Sequence, residues 1–216
     1  MATSIQYING FYTGNNYLNQ DQILINSVWI STWLKAARPD IWTSPEAMAA
    51  MLGNMQQEST VNPGLWQDRR QGNKQGGYGL VQWTPATKYL NWCVEQKIEP
   101  AYMDSALKRI MYEMDNELQW IPLRLYDNIT FKGFAKNVEN YSLDTLVRCF
   151  CRCYERAGVE AMENRTAYAY TIYEFLEGFP VPPNPPIPID PDVPTPPGQY
   201  WFQNKWFLYI RKKHRR

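Results

Sequence analysis

Hydrophobic residues recur along most of the chain with the 3.6-residue period that is typical of amphipathic helices. Three predicted helix starts have a candidate capping residue, because Ser44 and Thr84 each precede a proline and Ser142 precedes an apolar run. Residues 80–83 alternate as a short strand does, whereas residues 1–18 show no clear period and are expected to form an N-terminal arm or loop. The fold class that we predict is therefore α+β, mainly α. The predicted helices cover about residues 19–37, 45–58, 84–96, 104–121, 142–154 and 164–176.

The predicted helix over 45–58 carries the strongest chemical signal. Its apolar face consists of Met48, Met51, Leu52 and Met55. Glu58 lies three residues after Met55 and continues this face, where desolvation favours the neutral form of a carboxyl group. Cleavage of a glycosidic bond needs such a protonated acid, because the leaving oxygen takes up a proton as the bond breaks. The alternatives are a glutamate at an exposed helix end and a glutamate paired to an arginine.

A polar, glycine-rich loop follows this helix between Pro63 and Gly77. Closely spaced glycines let the backbone approach a ligand, so we expect this loop to form one wall of a sugar-binding cleft. Asp68 is the only acidic residue from 59 to 82, which makes it the candidate for the second carboxylate that hydrolases usually need. A solvated loop aspartate is the alternative.

Three short motifs, in order along the chain, resemble the signature of the lysozyme-like lytic transglycosylase superfamily. They are Glu58-Ser59 followed by Asn62-Pro63, then Gly79-Leu80-Val81-Gln82, and finally Tyr154-Glu155-Arg156-Ala157-Gly158. More closely, the stretches 51–67 and 79–86 are similar to the phage tail lysozyme family, whose domain sits at the tail tip of small phages of Gram-positive bacteria. The resemblance covers about residues 18–177.

This resemblance implies a lysozyme-like domain in which a small β-lobe faces Glu58 as the catalytic acid. Tyr78 and Trp83 are expected to be sugar-stacking surfaces, with core packing as the alternative for both. Gln82 is expected to bind an acetamido group of the sugar. The full set of expected substrate-binding residues is Ser59, Tyr78, Gly79, Gln82, Trp83 and Tyr154. No metal and no cofactor is expected.

The expected reaction is cleavage of the β-1,4 bond between N-acetylmuramic acid and N-acetylglucosamine in peptidoglycan glycan strands. Hydrolysis by a muramidase and lytic transglycosylation are both open, because in the second reaction the muramic acid's own hydroxyl attacks and no second carboxylate is required. Tyr154-Glu155 departs from the Tyr-Asn pair that is usual in transglycosylases. A phage endolysin that acts at lysis and a non-catalytic tail or wall-binding protein are further alternatives.

The formal net charge of +1 hides an uneven distribution of charge and composition. Residues 179–197 contain ten prolines and two aspartates, which predicts a semi-rigid linker between a catalytic domain over 19–178 and a tail. The tail, 198–216, has six Lys or Arg residues, six aromatic residues and no acid. Without the tail and the linker, residues 1–178 have a net charge of −3. Such a tail suits an anionic membrane or wall polymer, nucleic acid, or a neighbouring virion protein. We expect another phage tail protein, and no nucleic acid.

The cysteines and the N-terminal sequence indicate in which compartment the protein is made. Three of the four cysteines, Cys149, Cys151 and Cys153, lie within five residues, unlike the spaced framework of a small secreted domain. Free buried thiols are expected, with metal binding as the alternative. The sequence shows no positive cluster before an apolar run and no stretch of about eighteen apolar residues, so neither a signal peptide nor a membrane span is expected. We therefore expect synthesis in the host cytoplasm and a place in the virion, acting on the host cell wall.

Overall fold

The computed structural model describes residues 4–178, and the predicted linker over 179–197 and tail over 198–216 lie outside the described residues. The strands β1 (Gln6–Ile8) and β2 (Phe11–Thr13) form an antiparallel hairpin. The α-helices are α1 (Gln20–Ala37), α2 (Pro45–Ser59), α3 (Thr87–Gln96), α4 (Met103–Asp115), α5 (Phe131–Lys136), α6 (Leu143–Phe150) and α7 (Met162–Glu177). Single 3-10 turns lie at Gln67–Arg69 and Arg124–Tyr126, and a π-helical turn lies at Cys151–Glu155. The predicted class, α+β and mainly α, is confirmed.

Helix α2 forms the centre of the hydrophobic core. The hydroxyl oxygen of Ser44 accepts a hydrogen bond from the backbone N–H of Ala47 at 3.1 Å, and Pro45 lies in the first turn, as the sequence predicts. The predicted apolar face is confirmed, because Met48, Met51, Leu52 and Met55 are all fully buried. Most other residues of the helix are buried as well, so the remaining core is assembled around it.

The contact between α2 and α7 depends on Gly53. A Cβ atom built on Gly53 would lie 2.7 Å from the Cβ and backbone N of Ala169, closer than any side chain tolerates. The absence of a side chain therefore lets the two helices approach each other backbone to backbone. Arg165 lies one helical turn before Ala169 on α7, so this close packing brings it to the C-terminal part of α2.

The N-terminal region forms a β-hairpin, whereas the sequence predicted an arm or loop. Asn9 and Gly10 turn the chain with φ values of 49° and 93°, as in the Asn-Gly turns that favour hairpins. The side-chain amide of Asn26 on α1 accepts a hydrogen bond from Tyr12 N–H at 2.7 Å and donates to the carbonyl oxygens of Tyr12 and Val61, both at 2.8 Å. Strands of three residues are too short for periodicity to reveal, but this buried amide fixes the hairpin to the core.

The strand predicted over 80–83 is wrong. Gly79 and Gln82 have positive φ values of 81° and 48°, which turn the chain tightly instead of extending it. The turn is closed by an isolated antiparallel bridge between Tyr78 and Trp83.

The helix predicted over 104–121 is shorter in the structure. It ends as α4 at Asp115, and Leu118 and Ile121, which continued the apolar period, are 45% and 51% exposed. The short helix α5 escaped the sequence analysis, although Thr130 caps it by accepting a hydrogen bond from Gly133 N–H at 3.1 Å.

All four cysteines are free thiols buried in the core, as predicted. The sulfur atoms of Cys149 and Cys153 lie 3.9 Å apart. Within residues 4–178, no group of three or more His, Cys, Asp or Glu side chains is arranged to hold a metal ion. The helices in this range include none that is long and apolar enough to cross a membrane.

Candidate active site

A cleft of about 560 Å³ opens at the C-terminal end of α2. Its walls come mainly from the end of α2, the loop segments 65–68 and 81–84, the stretch 155–159 after the π-helical turn, and α7. Three acidic side chains line it, Glu58, Asp68 and Glu155, together with the guanidinium group of Arg165. Carboxyl groups that converge in one cleft are able to carry out acid-base chemistry on a bound ligand.

Glu58 pairs with Arg165 across the α2–α7 contact. The side chain of Arg165 is only 1% exposed, whereas that of Glu58 is 21% exposed and faces the cleft. Arg165 also donates a hydrogen bond from Nη1 to Asn54 Oδ1 at 3.0 Å and from Nε to the Glu160 carbonyl oxygen at 2.7 Å. The guanidinium group is thus held rigidly and positions the Glu58 carboxyl. The alternative that Glu58 pairs with an arginine is therefore correct, and Glu58 lines the cleft as well.

Glu155 is the second glutamate of the cleft, at the end of the π-helical turn. Its Oε1 atom is buried and has no hydrogen-bond partner among the described residues. Burial raises the pKa of Glu155 well above its ordinary value, and the nearby charge of Glu58 raises it further, while Arg165 acts in the opposite direction. Burial and the charge of Glu58 thus both favour the protonated form of the Glu155 carboxyl group.

A third buried glutamate, Glu113 on α4, lies behind the cleft wall. Its carboxylate accepts hydrogen bonds from Trp83 Nε1 at 2.9 Å, from Arg109 Nε at 2.8 Å, and from the Tyr154 hydroxyl. Burial and the charge of Glu113 raise the pKa of Tyr154 well above its ordinary value, so the hydroxyl stays protonated and remains a donor. We call these four residues the Glu113 cluster. The cluster fixes the indole of Trp83 in the cleft wall.

The sequence comparisons cover the part of the chain that forms the cleft. The model of the family "Phage tail lysozyme" matches residues 42–176, which include α2, the cleft loops, the π-helical turn and α7. The chain belongs to the phage tail lysozyme family. It is also 44% identical over 168 residues to "Morphogenesis protein 1" of Bacillus phage B103. The match covers 78% of this chain and 44% of that relative, so the chain spans less than half of the relative's length.

Two residues that follow Glu58 in the sequence, Ser59 and Asn62, connect the segments around the cleft by hydrogen bonds. Ser59 is buried, and its hydroxyl donates to the carbonyl oxygen of Leu80 at 2.7 Å, which joins the end of α2 to the turn at Gly79. Asn62 donates from Nδ2 to the carbonyl oxygens of Gly14 and Asn16, both at 2.7 Å, and so joins the same region to the N-terminal segment.

The predicted substrate-binding residues separate into two groups. Gln82 and Trp83 line the cleft, and so does Asp68, the candidate second carboxylate. Gln82 donates from Nε2 to the carbonyl oxygens of Leu65 and Gly79 at 3.1 and 3.0 Å, which secures the turn. The others, Ser59, Tyr78, Gly79 and Tyr154, do not line the cleft but pack behind it. Tyr78 is 4% exposed and Tyr154 fully buried.

The sequence analysis missed Glu155, Arg165, Trp66 and Tyr17 as cleft residues. The sequence did contain a signal for Glu155, because this residue stands where transglycosylases usually have the asparagine of a Tyr-Asn pair. Arg165 lies on the buried side of α7, where an arginine is rare unless it has a partner. Trp66 is half-buried and Tyr17 is 52% exposed, and neither shows a pattern that separates a ligand-binding aromatic residue from an ordinary one.

Proposed function

We propose that this chain is a peptidoglycan-degrading glycosidase of a phage tail, with Glu58 as the general acid. Its substrate is the β-1,4 bond between N-acetylmuramic acid and N-acetylglucosamine. The observation that carries this proposal is the cleft of about 560 Å³, which lies within the family match and is lined by the Glu58 and Glu155 carboxyl groups. A groove of this volume is large enough for sugar rings.

The surface of the cleft suits an aminosugar strand. Trp66 and Tyr17 line it, and aromatic rings offer apolar faces on which pyranose rings stack. Lys88 and Arg156 also line the cleft, and their positive charges suit the carboxylates of the lactyl groups and peptide stems of peptidoglycan. We therefore propose these four residues as substrate-binding residues, together with Gln82 and Trp83.

In the proposed reaction, Glu58 gives its proton to the glycosidic oxygen while the sugar ring moves toward an oxocarbenium-like state. The electron pair of the broken C–O bond remains with the leaving oxygen. The cation is then captured either by water, giving hydrolysis, or by the muramic acid's own hydroxyl, giving an anhydro-sugar. Asp68 is exposed and has no ion-pair partner among the described residues, so it is free to assist a water in the hydrolytic route.

Mass spectrometry of purified peptidoglycan after digestion tests the reaction. Muropeptides cut after N-acetylmuramic acid are expected, and reducing ends indicate hydrolysis whereas anhydro ends indicate transglycosylation. The matched control is peptidoglycan incubated with heat-inactivated protein. A glycan strand that remains intact would contradict the proposal and favour a non-catalytic tail protein.

The place of action is proposed to be the phage tail, where the enzyme opens the host wall for genome delivery. The relative's designation as a morphogenesis protein supports a role in the particle rather than in endolysis. We propose that residues 198–216, outside the described residues, bind another tail protein, with contact to a membrane as the alternative. Immunolabelling of intact particles should place the protein at the tail, and deletion of residues 179–216 should prevent its incorporation. Labelling found only in lysates, or incorporation of the truncated chain, would contradict these assignments.

A further inference from the structure

We propose that Tyr17 and Arg69 form a subsite of the cleft that binds an N-acetylmuramic acid residue. The sugar ring stacks on the Tyr17 ring, and the anionic substituent of the sugar binds the Arg69 guanidinium group. This inference rests on the proposed function and deepens it, because it assigns part of the cleft to one of the two sugars of the strand. Tyr17 lies outside residues 42–176, which the family model matches.

Tyr17 is an exposed aromatic residue on a backbone that is held firmly in place. It lines the cleft and is 52% exposed. The carbonyl oxygen of the preceding residue, Asn16, accepts a hydrogen bond from Asn62 Nδ2 at 2.7 Å, and the backbone N–H of the following residue, Leu18, donates to Thr60 Oγ1 at 2.9 Å. Because both neighbours are bonded to the segment directly after α2, the Tyr17 backbone needs little ordering when a ligand binds.

Asn15 joins this N-terminal segment to the 3-10 turn Gln67–Arg69. It is buried, accepts a hydrogen bond from Trp66 N–H at 3.1 Å through Oδ1, and donates from Nδ2 to the Arg69 carbonyl oxygen at 3.0 Å. Between these two bonds, Asp68 and Arg69 have φ values of 53° and 58°. Residues other than glycine rarely adopt this left-handed conformation, so the two bonds from Asn15 stabilise a strained turn.

The turn places the Arg69 side chain beside Tyr17. The guanidinium carbon of Arg69 lies 5.3 Å from the centroid of the Tyr17 ring, which is within the range of a cation–π interaction. Arg69 is exposed, and it forms no ion pair with another described residue. The pair therefore presents an apolar ring and an uncompensated positive charge side by side at the cleft.

The loop around Arg69 is cationic. Residues 64–77 contain Arg69, Arg70 and Lys74 but a single acid, Asp68, and none of the three cations forms an ion pair within residues 4–178. Of the two sugars in a peptidoglycan strand, only N-acetylmuramic acid carries a lactyl group, whose carboxyl group is either free or extended by an anionic peptide stem. A guanidinium group binds such carboxylates by charge-assisted hydrogen bonds, so the pair matches N-acetylmuramic acid and not the uncharged N-acetylglucosamine.

Calorimetric titration tests the aromatic half of the subsite. The parent protein is the full chain with Glu58→Gln, so that a bound glycan stays intact; wild type titrated on ice replaces it if this variant does not fold. The ligands are soluble peptidoglycan strands with their peptide stems and the uncharged hexamer of N-acetylglucosamine. Tyr17→Ala should weaken the binding of both ligands about 10-fold, whereas Tyr17→Phe keeps the ring and should bind as the parent does. The matched control is Tyr170→Ala, which removes a 45% exposed tyrosine outside the cleft and should have no effect.

The same titration tests the cationic half. Arg69→Ala should weaken the binding of the strands about 3- to 5-fold and leave the binding of the hexamer unchanged, because only the strands carry carboxylates. The loss should shrink in about 0.5 M salt, and Arg69→Lys should restore part of the affinity. The matched control is Arg124→Ala, since Arg124 is exposed, does not line the cleft and has no ion pair with a described residue.

Three results would overturn the subsite or its assignment. If Tyr17→Ala binds both ligands as tightly as the parent, or the parent binds neither, there is no such subsite. An equal loss for strands and hexamer in Arg69→Ala would make Arg69 only a support for Tyr17. A loss seen only with strands that retain wall phosphodiester polymers would indicate a phosphate site instead of a muramic acid site.

The subsite and the proposed function fail in different ways. A wild-type chain that binds the strands without cleaving them contradicts the glycosidase and leaves the subsite standing. A chain that cleaves the strands, with the same KM in Tyr17→Ala as in wild type, contradicts the subsite alone, because a binding residue of this kind should raise KM and leave kcat nearly unchanged.

Discussion

Two groups of acidic residues, one buried behind the cleft wall and one facing the cleft, differ in how many hydrogen bonds their carboxyl groups receive. In the Glu113 cluster, one carboxylate receives hydrogen bonds from Trp83, Arg109 and Tyr154. At the cleft, Glu58 pairs with Arg165, and an oxygen of Glu155 lacks any described partner. The Glu113 carboxylate therefore has several hydrogen-bond donors, whereas the Glu155 carboxyl group still has an oxygen atom that is able to bond to a ligand.

This difference distinguishes a carboxylate that stabilises the fold from a carboxyl group that is suited to catalysis. A buried carboxylate with all its donors in place is fixed in one charge state and stabilises the fold. A buried carboxyl group without donors costs stability, and its environment perturbs its protonation in the way that catalytic groups require. Burial alone does not distinguish the two cases, but the count of hydrogen-bond donors does.

The largest change in stability is expected when the Glu113 cluster loses its carboxylate. Glu113→Gln should lower the free energy of unfolding by about 3 kcal/mol, because the nearly buried Arg109 loses its charge partner. Chemical denaturation measures this, with the exposed Glu163→Gln on α7 as the control. Equal stabilities of the two variants would mean that the Glu113 cluster is not a structural site.

A smaller loss of stability is expected when the contact between α2 and α7, which brings Glu58 and Arg165 together, is strained. Gly53→Ala places a methyl group within 2.7 Å of Ala169, so α2 and α7 must separate, at a cost of about 2 kcal/mol. Gly158→Ala is the matched control, since a Cβ there meets no atom within 4 Å. Thermal unfolding of both variants should show a clearly lower midpoint for Gly53→Ala, and two equal midpoints would contradict the close helix contact.

Removal of a single donor from the Glu113 cluster should have a modest effect. Tyr154→Phe deletes the hydroxyl that donates to Glu113 and should cost about 1 kcal/mol in the free energy of unfolding. The affinity for peptidoglycan should be unchanged, because the fully buried Tyr154 does not line the cleft. A large loss of affinity in a binding assay, with unchanged stability, would restore Tyr154 as a substrate-binding residue.

The smallest effect is expected at Asp68. This loop aspartate is exposed and forms no ion pair with another described residue, so Asp68→Asn should change stability by no more than about 0.5 kcal/mol. Cleavage rates that drop by more than about 100-fold, with the same products at lower yield, would instead identify Asp68 as the second carboxylate of a hydrolase.

The sequence predicted most of the helices and the position of Glu58, but it did not identify Arg165 as the partner of Glu58. The apolar period over 45–58 was strong enough to define α2 and to place Glu58 at its end. Arg165 is 107 residues away, and only the close contact between α2 and α7 at Gly53 brings it near. Periodicity was equally unable to show that Tyr154 turns inward to Glu113 while the next residue, Glu155, turns to the cleft, because a π-helical turn changes the spacing of side chains.

The central claim is that Glu58 is the proton donor of a glycan-cleaving cleft, and the cleavage rate of Glu58→Gln tests it most directly. The rate of muropeptide release should fall at least about 100-fold relative to wild type, in protein shown by circular dichroism to be folded. Glu58→Asp retains a carboxylate for Arg165 but withdraws it from the bond, and should also be slower, which covers the case of an unstable glutamine variant. If folded Glu58→Gln cleaves glycan strands as fast as wild type, Glu58 is not the acid and the account is wrong.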